Sequence, residues 1–326
     1  MNSNRRYAAG LDLGGTDLKY GIVSEDGTIV YQNKISTPGR DGAAAVIQVM
    51  TAAVRECQEK AGREGISLST VGAGCPGAID VKTGRALGPV MFIRDWEGAA
   101  IAGEISAVAG LPVFADNDAN AMIYGEYRFG AGKDISSLVG ITLGTGVGGG
   151  IISDGKLLRG FNYNAGELGH IVVEPEGRSC LCNSKGCLIC YCGSDALLKD
   201  AREAIQSGEA SALSRITALS PVEIFDAYNK GDALAIRLIS RQASYLSTAI
   251  TSIVNILNPG LILLGGGLAN AGTSLIELVR EKVLERSMAS LHGQVRIEKA
   301  ALGNRAGMTG IAALALEELT NPGKER

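Results

Sequence analysis

The sequence has little proline, no excess charge of one sign and no long uninterrupted hydrophobic run. Only 8 of its 326 residues are proline while 46% are hydrophobic, which argues against a disordered chain. Lys and Arg number 31 against 34 Asp and Glu, and no basic stripe or charged tail indicates a nucleic-acid or membrane partner. The most apolar stretch, 253–269, is interrupted by Asn-Pro-Gly and by a glycine triplet, so it is a poor membrane-spanning helix. The first residues lack the apolar core of a signal peptide, and we expect a cytoplasmic protein.

Glycine, in contrast, is abundant. The 45 glycines are roughly twice the usual share of about 7%. No Gly-X-Y period runs through the chain, which excludes collagen. We therefore expect glycines in tight turns and where the backbone approaches a ligand.

The pattern of short apolar strands and amphipathic helices predicts an α/β fold that repeats itself. The segment 140–146 resembles 10–16, and each is followed by an apolar strand and an acidic-glycine turn, at 26–27 and 154–155. This offset of about 130 residues indicates a diverged internal duplication, with chance similarity of two glycine loops as the alternative. No proline- or serine-rich linker separates the halves, which favours two lobes around a shared cleft. The predicted helices lie at 41–61, 98–109, 119–129, 195–205, 221–229, 233–257, 274–288 and 307–319.

The first glycine loop follows a predicted buried strand that ends near Asp12. Gly14 and Gly15 at a hairpin tip let backbone N–H groups close on phosphate oxygens, and Thr16 and Lys19 add donors. Asp12 can hold Mg²⁺ through water. An ordinary tight hairpin is the alternative interpretation.

The second glycine loop contains Gly144, Thr145 and Gly146 and fits the pattern G-x-G-x-x-G. A dinucleotide-binding fold would need a helix after these glycines, whereas a strand and a turn follow, so we reject that interpretation. A third glycine tip at 265–267, including Gly266 and Gly267, ends another predicted strand, although a plain strand–helix turn would have the same sequence. Together the three tips predict a site for a nucleoside triphosphate.

The cysteines are unevenly distributed, because five of the seven fall between residues 180 and 192. In a reducing compartment such a cluster indicates a metal before a disulfide. Three thiolates and one imidazole form a structural zinc set, and a metal would order a loop that lacks a core of its own. A loop of reduced cysteines is the alternative, and either of the spare thiols, Cys190 or Cys192, could replace one ligand. The candidate ligands are His170, Cys180, Cys182 and Cys187.

Asn117 and Asp118 follow a short predicted strand and open a predicted helix. Transfer of a phosphoryl group to an alcohol needs a carboxylate to accept the hydroxyl proton, and Asp118 suits that role. Asn117 could hold a neighbouring hydroxyl. The alternative is that these residues only cap the helix, since Asp and Asn are favoured N-caps.

Taken in order, these segments resemble the ROK family (repressors, open reading frames and kinases), whose sugar kinases have a two-lobed actin-like ATPase fold of the ribonuclease H-like type with a deep interlobe cleft. The resemblance implies a small lobe at 1–118, with helix 306–320 packing back on it, and a large lobe at 119–305 with a zinc-binding loop at 170–193. The motifs that carry it are Asp12–Thr16, Gly74–Gly77, Asn117–Asn120, Leu143–Gly146, Glu167–His170 and the cysteines 180, 182 and 187.

The resemblance also implies a chemistry. It implies ATP, Mg²⁺ and a structural Zn²⁺, with Asp118 as general base toward the 6-hydroxyl of a hexose or hexose-like sugar. Asn117, Glu167 and His170 would contact sugar hydroxyls, and Gly77 would lie near the sugar. Members are often homodimers or homotetramers, and neither nucleic acid nor membrane is expected as a partner.

Two positions depart from the family pattern. Ile189 stands two residues after the last zinc cysteine, where Glu is common, and Phe92 stands where Asn often contacts the sugar. Losing a hydrogen-bonding group changes substrate preference, so a glycoside, a deoxy sugar or a cyclitol is an alternative to glucose. A catalytically weak sugar-binding regulator is another alternative. A repressor is disfavoured, because only eleven residues precede Asp12 and no DNA-binding domain fits there.

Overall fold

The computed structural model describes residues 5–291 and 293–320. Within them the strands are β1 (Tyr7–Leu13), β2 (Asp17–Ser24), β3 (Ile29–Ser36), β4 (Leu68–Cys75), β5 (Ile79–Asp80), β6 (Arg85–Ala86), β7 (Val113–Asn117), β8 (Leu138–Leu143), β9 (Val147–Ser153), β10 (Lys156–Leu157), β11 (Leu261–Gly265) and β12 (Arg296–Lys299). The α-helices are α1 (Ala43–Arg63), α2 (Ile101–Ala109), α3 (Asp118–Phe129), α4 (Ser194–Gln206), α5 (Pro221–Asn229), α6 (Ala233–Leu257), α7 (Gly267–Ala271), α8 (Ser274–Arg286) and α9 (Ala306–Thr320).

The two larger sheets have the same plan. The first runs in the order β3-β2-β1-β4-β7 and the second in the order β10-β9-β8-β11-β12. In the first sheet, β3, β2 and β1 lie side by side, and β4 and β7 follow, parallel to β1. The second sheet repeats this order with β10, β9 and β8, followed by β11 and β12, which are parallel to β8. The common order agrees with the internal duplication that the two glycine loops predict.

The strands of the first sheet are buried on both faces where helices cover them. β1 and β4 carry small and aliphatic residues at almost every position, as expected for strands without a solvent face. The apolar face of α1 contributes Val46, Met50 and Val54 to the core on one side. Trp96 is buried in the same core and its indole N–H donates to the carbonyl of Pro76 at 3.2 Å.

Helix α9 packs on the other face of β1 and β4, and glycine makes this close approach sterically feasible. A Cβ at Gly10 or Gly72 would overlap the main-chain carbonyls of Met308 and Ile311 in α9. α9 also packs against α3, where a side chain at Gly125 would overlap the carbonyl of Ala306. Part of the glycine surplus therefore serves backbone-to-backbone packing, which the sequence-based expectation of turns and ligand loops did not include.

The described residues divide into two compact units. The first comprises those within Met1–Ser136, Gly150–Gly166 and Asn304–Arg326, and the second those within Ser137–Gly149 and Glu167–Gly303. The boundary expected at 118/119 is not one of the boundaries between these units, and the division into lobes at 1–118 and 119–305 stays a prediction. In the part of the chain described, no helix has the length and hydropathy needed to span a membrane.

Most predicted elements match observed ones to within a few residues. α5 and α6 have the predicted bounds, because a capping box at Ser220 and the Asp232 N-cap mark their first turns. The sequence did not predict β12 or the five-residue α7. β12 is a short edge strand with charged residues at three of its four positions, so it has no apolar run to mark it.

Candidate active site

The first glycine loop (Gly14, Gly15 and Thr16) forms the tip between β1 and β2. The Gly14 N–H donates to the carbonyl of Asp17 at 3.0 Å, which closes the hairpin. Thr37 fastens the tip from outside: its N–H donates to the carbonyl of Thr16 at 2.9 Å and its hydroxyl donates to that of Gly14 at 2.8 Å. Gly15 and Thr16 remain exposed. These bonds occupy loop carbonyls, which suits a tip whose N–H groups bind an anion.

Asp12 and Lys19 are cross-strand partners just below this tip. Burial raises the pKa of Asp12 above its usual range, and the positive charge of Lys19 opposes that rise. The Asp12 carboxylate packs against the second residue of α9, where a Cβ at Gly307 would lie 2.5 Å from the carboxylate carbon. Glycine at position 307 thus leaves the room that this carboxylate occupies.

Three carboxylates approach one another where β1, β4 and β7 end. Parallel pairing places Asp12 beside Gly74, and Gly74 beside Asp116. Burial raises the pKa of the Cys75 thiol well above its usual range, and the charges of Asp118, Asp12 and Asp116 raise it further. Cys75 is therefore an inert thiol, and its surroundings show that the acids converge at one edge of the sheet. This is the edge at which α/β sheets bind ligands.

The turn from β7 into α3 holds Asn117 and Asp118. Asn117 is the N-cap of α3: its side-chain oxygen accepts from the Asn120 N–H at 3.0 Å, and its amide donates to the carbonyl of Gly77 at 3.0 Å. Asp118 is the first helical residue, and its carboxylate accepts from the Ala119 N–H at 2.9 Å. Asn117, and not Asp118, therefore caps the N-terminus of α3. The Asp118 carboxylate is half-buried and lies beside the converging strand ends.

A buried ion pair supports this turn from below. The Arg159 guanidinium donates to the Asp116 carboxylate at 2.7 Å, and both side chains are less than a tenth exposed. The same carboxylate accepts from the side-chain amide of Asn120 at 3.1 Å and from the Asn117 N–H at 2.7 Å. Arg159 also pairs with Glu318 of α9 at 3.7 Å. Removing the Arg159 charge would leave the Asp116 carboxylate buried without this counter-charge, so the pair fixes the backbone on which Asp118 sits.

The second glycine loop (Gly144, Thr145 and Gly146) joins β8 to β9. The strand that follows, Val147–Ser153, agrees with the rejection of a dinucleotide-binding turn. The Gly144 N–H donates to the carbonyl of Gly146 at 3.0 Å. Gly266, with a φ of +89°, follows β11 beside this loop, and a Cβ there would lie 2.5 Å from the carbonyl oxygen of Leu143. The backbone at Gly266 therefore passes directly against the end of β8.

The four predicted metal ligands lie together in the second unit. Their donor atoms are all within 4.8 Å of one another. The Sγ atoms of Cys182 and Cys187 are 3.6 Å apart, and Cys180 Sγ lies 3.7 Å from His170 Nδ1. A tetrahedral Zn²⁺ with bonds of about 2.3 Å to sulfur and about 2.0–2.1 Å to nitrogen would place its ligands roughly 3.6–3.8 Å apart. The donor set and its spacing therefore fit zinc.

The two spare thiols differ in position, because the Cys190 thiol also lies within hydrogen-bonding reach of the ligand Cys180, whereas Cys192 bonds to α6. Cys192 is buried and its thiol donates to the main-chain carbonyl of Gln242 at 3.6 Å. The thiol of Cys190 donates to the carbonyl of Ser179 at 3.6 Å. Glu167 comes just before the short 3₁₀ turn Leu168–His170, and His170 is the last residue of that turn. Both side chains are exposed.

Each of the two departures from the family pattern lies against a glycine loop. The Phe92 ring, which is 40% exposed, would be 3.5 Å from a Cβ at Gly15. Ile189 packs against Gly146, where a Cβ would lie 2.8 Å from its terminal methyl group. The chain thus presents an apolar side chain beside each predicted phosphate-binding tip.

The structure brings the predicted residues together in two groups. One group lies at the strand ends of the first unit and contains Asp12, Gly14, Gly15, Thr16, Lys19, Gly77, Asn117 and Asp118. The other lies in the second unit and contains Gly144, Thr145, Gly146, Glu167, His170, Cys180, Cys182, Cys187, Gly266 and Gly267. Supporting residues such as Thr37, Arg159 and Gly307 were not predicted. For Gly307, the one available signal in the sequence was a glycine inside an apolar helix.

Comparison with known proteins assigns the chain to a family. Residues 8–318 match the ROK family. The chain belongs to the ROK family. It is 35% identical to a glucokinase from Thermotoga maritima over 95% of this chain and 97% of that protein. It is 26% identical to a xylose repressor from Caldicellulosiruptor bescii, over 98% of this chain and 80% of the repressor.

Solved structures of ROK proteins share the fold. A ROK family glucokinase from Streptomyces griseus, in complex with glucose and AMPPNP, superposes with a TM-score of 0.83 at 32% identity, over 95% of this chain and 99% of that one. The ROK chain described here accordingly has the mixed α/β, actin-like ATPase fold that the sequence predicted.

Proposed function

We propose that this ROK protein is an ATP-dependent sugar kinase that phosphorylates a hexose or hexose-like sugar at its 6-hydroxyl. Relatives named glucokinase, at 33–35% identity, support sugar phosphorylation. The observation that carries the proposal is the Asp118 carboxylate at the start of α3, on the same strand-end edge as Asp12 and the first glycine loop. A base, an acidic group for Mg²⁺ and a phosphate-binding tip are the parts that phosphoryl transfer to an alcohol needs.

Asp118 acts as the general base. The sugar hydroxyl oxygen attacks the terminal phosphorus of ATP, and the bond from that phosphorus to the oxygen of ADP breaks. The hydroxyl proton moves to the Asp118 carboxylate, which also accepts from the Ala119 N–H. The Asp116–Arg159 pair keeps the backbone under Asp118 fixed, so the carboxylate meets the hydroxyl in a constant geometry.

The glycine loops bind the nucleotide. Backbone N–H groups of the first and second loops, with the Thr16 hydroxyl and the Lys19 ammonium, neutralise phosphate oxygens, and Gly266 and Gly267 leave room for the nucleotide. Asp12 would hold Mg²⁺, which supplies positive charge to the transferred group when bound. A cation near Asp12 would also offset the cost of its burial, which raises its pKa in the absence of metal.

The sugar contacts Asn117, Glu167 and His170, with Gly77 nearby. Zinc fits the Cys₃His donor set and would serve as a structural ion that closes the loop. In that arrangement His170 gives Nδ1 to the metal, because this atom faces Cys180, and its Nε2–H stays available for a sugar hydroxyl. The thiolate ligands need a reducing compartment, which favours the cytoplasm.

Phe92 and Ile189 favour a second candidate substrate. Both are apolar and stand at positions where the family pattern has a polar side chain, so a substrate with fewer hydroxyls or an apolar substituent would suit them better than glucose. This candidate comprises glycosides, deoxy sugars and cyclitols.

A coupled ADP-release assay across hexoses, amino sugars, glycosides, deoxy sugars and cyclitols tests both candidates. Turnover of any of these with Mg²⁺ and ATP supports the kinase, and the preferred substrate decides between glucose and the less polar class. Sugar binding without ADP release would instead indicate the catalytically weak regulator. Elemental analysis measures zinc, and light scattering measures whether the expected homodimer or homotetramer forms.

A further inference from the structure

Backbone N–H groups at the start of α4 bind two carbonyl groups of the second glycine loop. The Ser194 N–H donates to the carbonyl of Gly144 at 2.8 Å and the Asp195 N–H donates to that of Thr145 at 3.3 Å. Gly193, with a φ of +101°, lies so close that a Cβ there would be 3.0 Å from the carbonyl oxygens of Thr145 and Gly146. The backbone path of the loop is therefore set by residues 193–195.

Those residues connect directly to the metal cluster. Cys187, one of the four ligands, is followed by the 3₁₀ turn Leu188–Cys190, whose buried Leu188 carbonyl accepts from the Cys192 N–H at 2.9 Å. Ile189 of this turn packs on Gly146. Six residues of compact backbone thus join a metal ligand to the start of α4.

The other side of the cluster also reaches the loop. Gly169, next to the ligand His170, packs so tightly that a Cβ would overlap the main-chain carbonyl of Val147, the residue after the loop. Residues near two of the ligands, Ile189 and Gly169, therefore pack against Gly146 and Val147 within one compact unit.

Gln242 of α6 secures the connecting segment. It is 3% exposed, and its side-chain amide donates to the carbonyl of Gly193 at 3.1 Å and to that of Tyr191 at 3.3 Å. Among the described residues its Oε1 has no hydrogen-bond partner. Both of its side-chain hydrogen bonds go to the segment between the metal ligands and the loop, so Gln242 would act through that segment.

The far part of the cysteine loop has an anchor of its own that needs no metal. Arg178 and Arg241 both pair with the buried carboxylate of Asp200, and Arg178 donates to the carbonyl of Cys190 at 2.9 Å. Because Cys190 ends the connecting turn, this anchor keeps one end of the turn in place, and loss of the metal would loosen the ligands and the rest of the turn while the unit stays folded.

We propose that the metal cluster sets the nucleotide-binding conformation of the second glycine loop through Cys187–Gly193, with Gln242 as the positioning residue that transmits it. This rests on the proposed function, in which that loop binds the nucleotide. The metal then governs nucleotide affinity as well as the sugar side of the site, to which His170 belongs.

Isothermal titration of AMPPNP with Mg²⁺, in the absence of sugar, tests the coupling in a four-way cycle. The wild type and Gln242→Met are each measured with the native metal and after a chelator that prefers zinc to magnesium. Either single change should raise the Kd about tenfold, because each loosens the segment that holds the loop in its binding conformation. Because both changes act through one segment, their effects should not add, and chelation of Gln242→Met should raise the Kd by less than about twofold further.

Ser247→Ala is the matched control, since Ser247 is also buried and hydrogen-bonded on α6 but lies away from the segment. It should lower the melting temperature without changing the Kd for AMPPNP, and the metal content of all variants should be equal. An unchanged Kd after chelation, or fully additive effects, would overturn the coupling. Should Gln242→Met fail to fold, the chelated wild type still decides. A metal-loaded wild type that binds no AMPPNP would instead overturn the proposed function.

Discussion

The two glycine loops share a sequence pattern and a place in their sheets, yet different elements hold them in shape. In the first, Thr37 donates from its N–H and its hydroxyl to the carbonyls of Thr16 and Gly14, so one residue after β3 is enough. In the second, the carbonyls of Gly144 and Thr145 accept from the first N–H groups of α4, which follows the metal cluster in the chain. Duplicated halves can therefore keep the same tip and acquire separate supports.

The chemistry is divided in the same way. The first unit contains the proposed general base, the proposed acid for Mg²⁺ and a loop held by Thr37. The second unit contains the metal cluster and a loop supported through it. We expect changes near the first loop to alter the chemical step most, and changes near the second to alter binding.

Asp118→Asn should have the largest effect, since it removes the base of the first unit and preserves its shape. We expect kcat to fall about 10²–10⁴-fold while sugar affinity stays within a few-fold of the wild type. Steady-state kinetics with a separate sugar titration measure both quantities. Glu104→Gln, which changes a first-turn acid of α2 in the same unit, is the control and should be silent. Wild-type kcat in Asp118→Asn would remove Asp118 from the mechanism.

Gly307→Ala should come next. Its Cβ would lie 2.5 Å from the carboxylate carbon of Asp12, so the carboxylate must move. A displacement of this size costs about 100-fold in kcat/KM when a catalytic group is involved, and the Mg²⁺ dependence should shift to higher concentration. Gly103→Ala, in an exposed helix with open space around it, is the matched control and should keep full activity. An active Gly307→Ala enzyme with normal Mg²⁺ dependence would argue against a role for Asp12.

Thr37→Val should have a smaller effect and sharpens the contrast between the loops. It removes the hydroxyl bond to Gly14 but keeps the backbone bond to Thr16, so the Kd for AMPPNP should rise about three- to tenfold. Chelation should multiply this increase, because the described hydrogen bonds that hold the first loop involve none of the metal ligands. Thr51→Val, which removes a similar bond inside α1, is the control. Loss of chelator sensitivity in Thr37→Val would contradict separate supports.

The smallest expected effect is on stability, where Asp12→Asn should be favourable. Folding raises the pKa of Asp12, so at pH values between the pKa of the unfolded state and that of the folded state, the folded state binds more protons. The free energy of unfolding therefore falls as the pH rises through that range. Above it the ionised carboxylate costs stability. Asp12→Asn should therefore raise the free energy of unfolding at pH 7 without Mg²⁺, and this gain should disappear below pH 3.8, where the carboxyl group is protonated in both states. Thermal melts at the two pH values check this, and a loss of stability at pH 7 would contradict it.

The sequence predicts what local chemistry determines. The strand after Gly146 excluded a dinucleotide-binding turn, and the unequal spacing of the cysteines predicted the four residues whose donor atoms cluster. Helices with strong caps, such as α5 and α6, have the predicted bounds. These features depend on neighbours in the chain or on residue types with one dominant use.

Residues that act through distant contacts were not predictable. Gln242 lies 49 residues from Gly193, and Arg159 lies 43 residues from Asp116, so neither pairing has a signal in the sequence. The glycines illustrate the same limit. Those at 14, 144 and 266 were expected in ligand loops, whereas Gly10 and Gly72 face α9, which only the packing reveals.

The contact between α9 and the first strands has a consequence for the order of events during synthesis. β1 and β4 are synthesised early. Helix α9, which packs against Gly10 and Gly72, begins about 180 residues after the end of α3. At roughly 5–20 residues per second, this delay is on the order of ten to forty seconds. During that time a nascent sheet presents an open, glycine-lined backbone face. Such a face is a natural target for a chaperone, and the first half of this duplicated protein completes its fold only after most of the second has been translated.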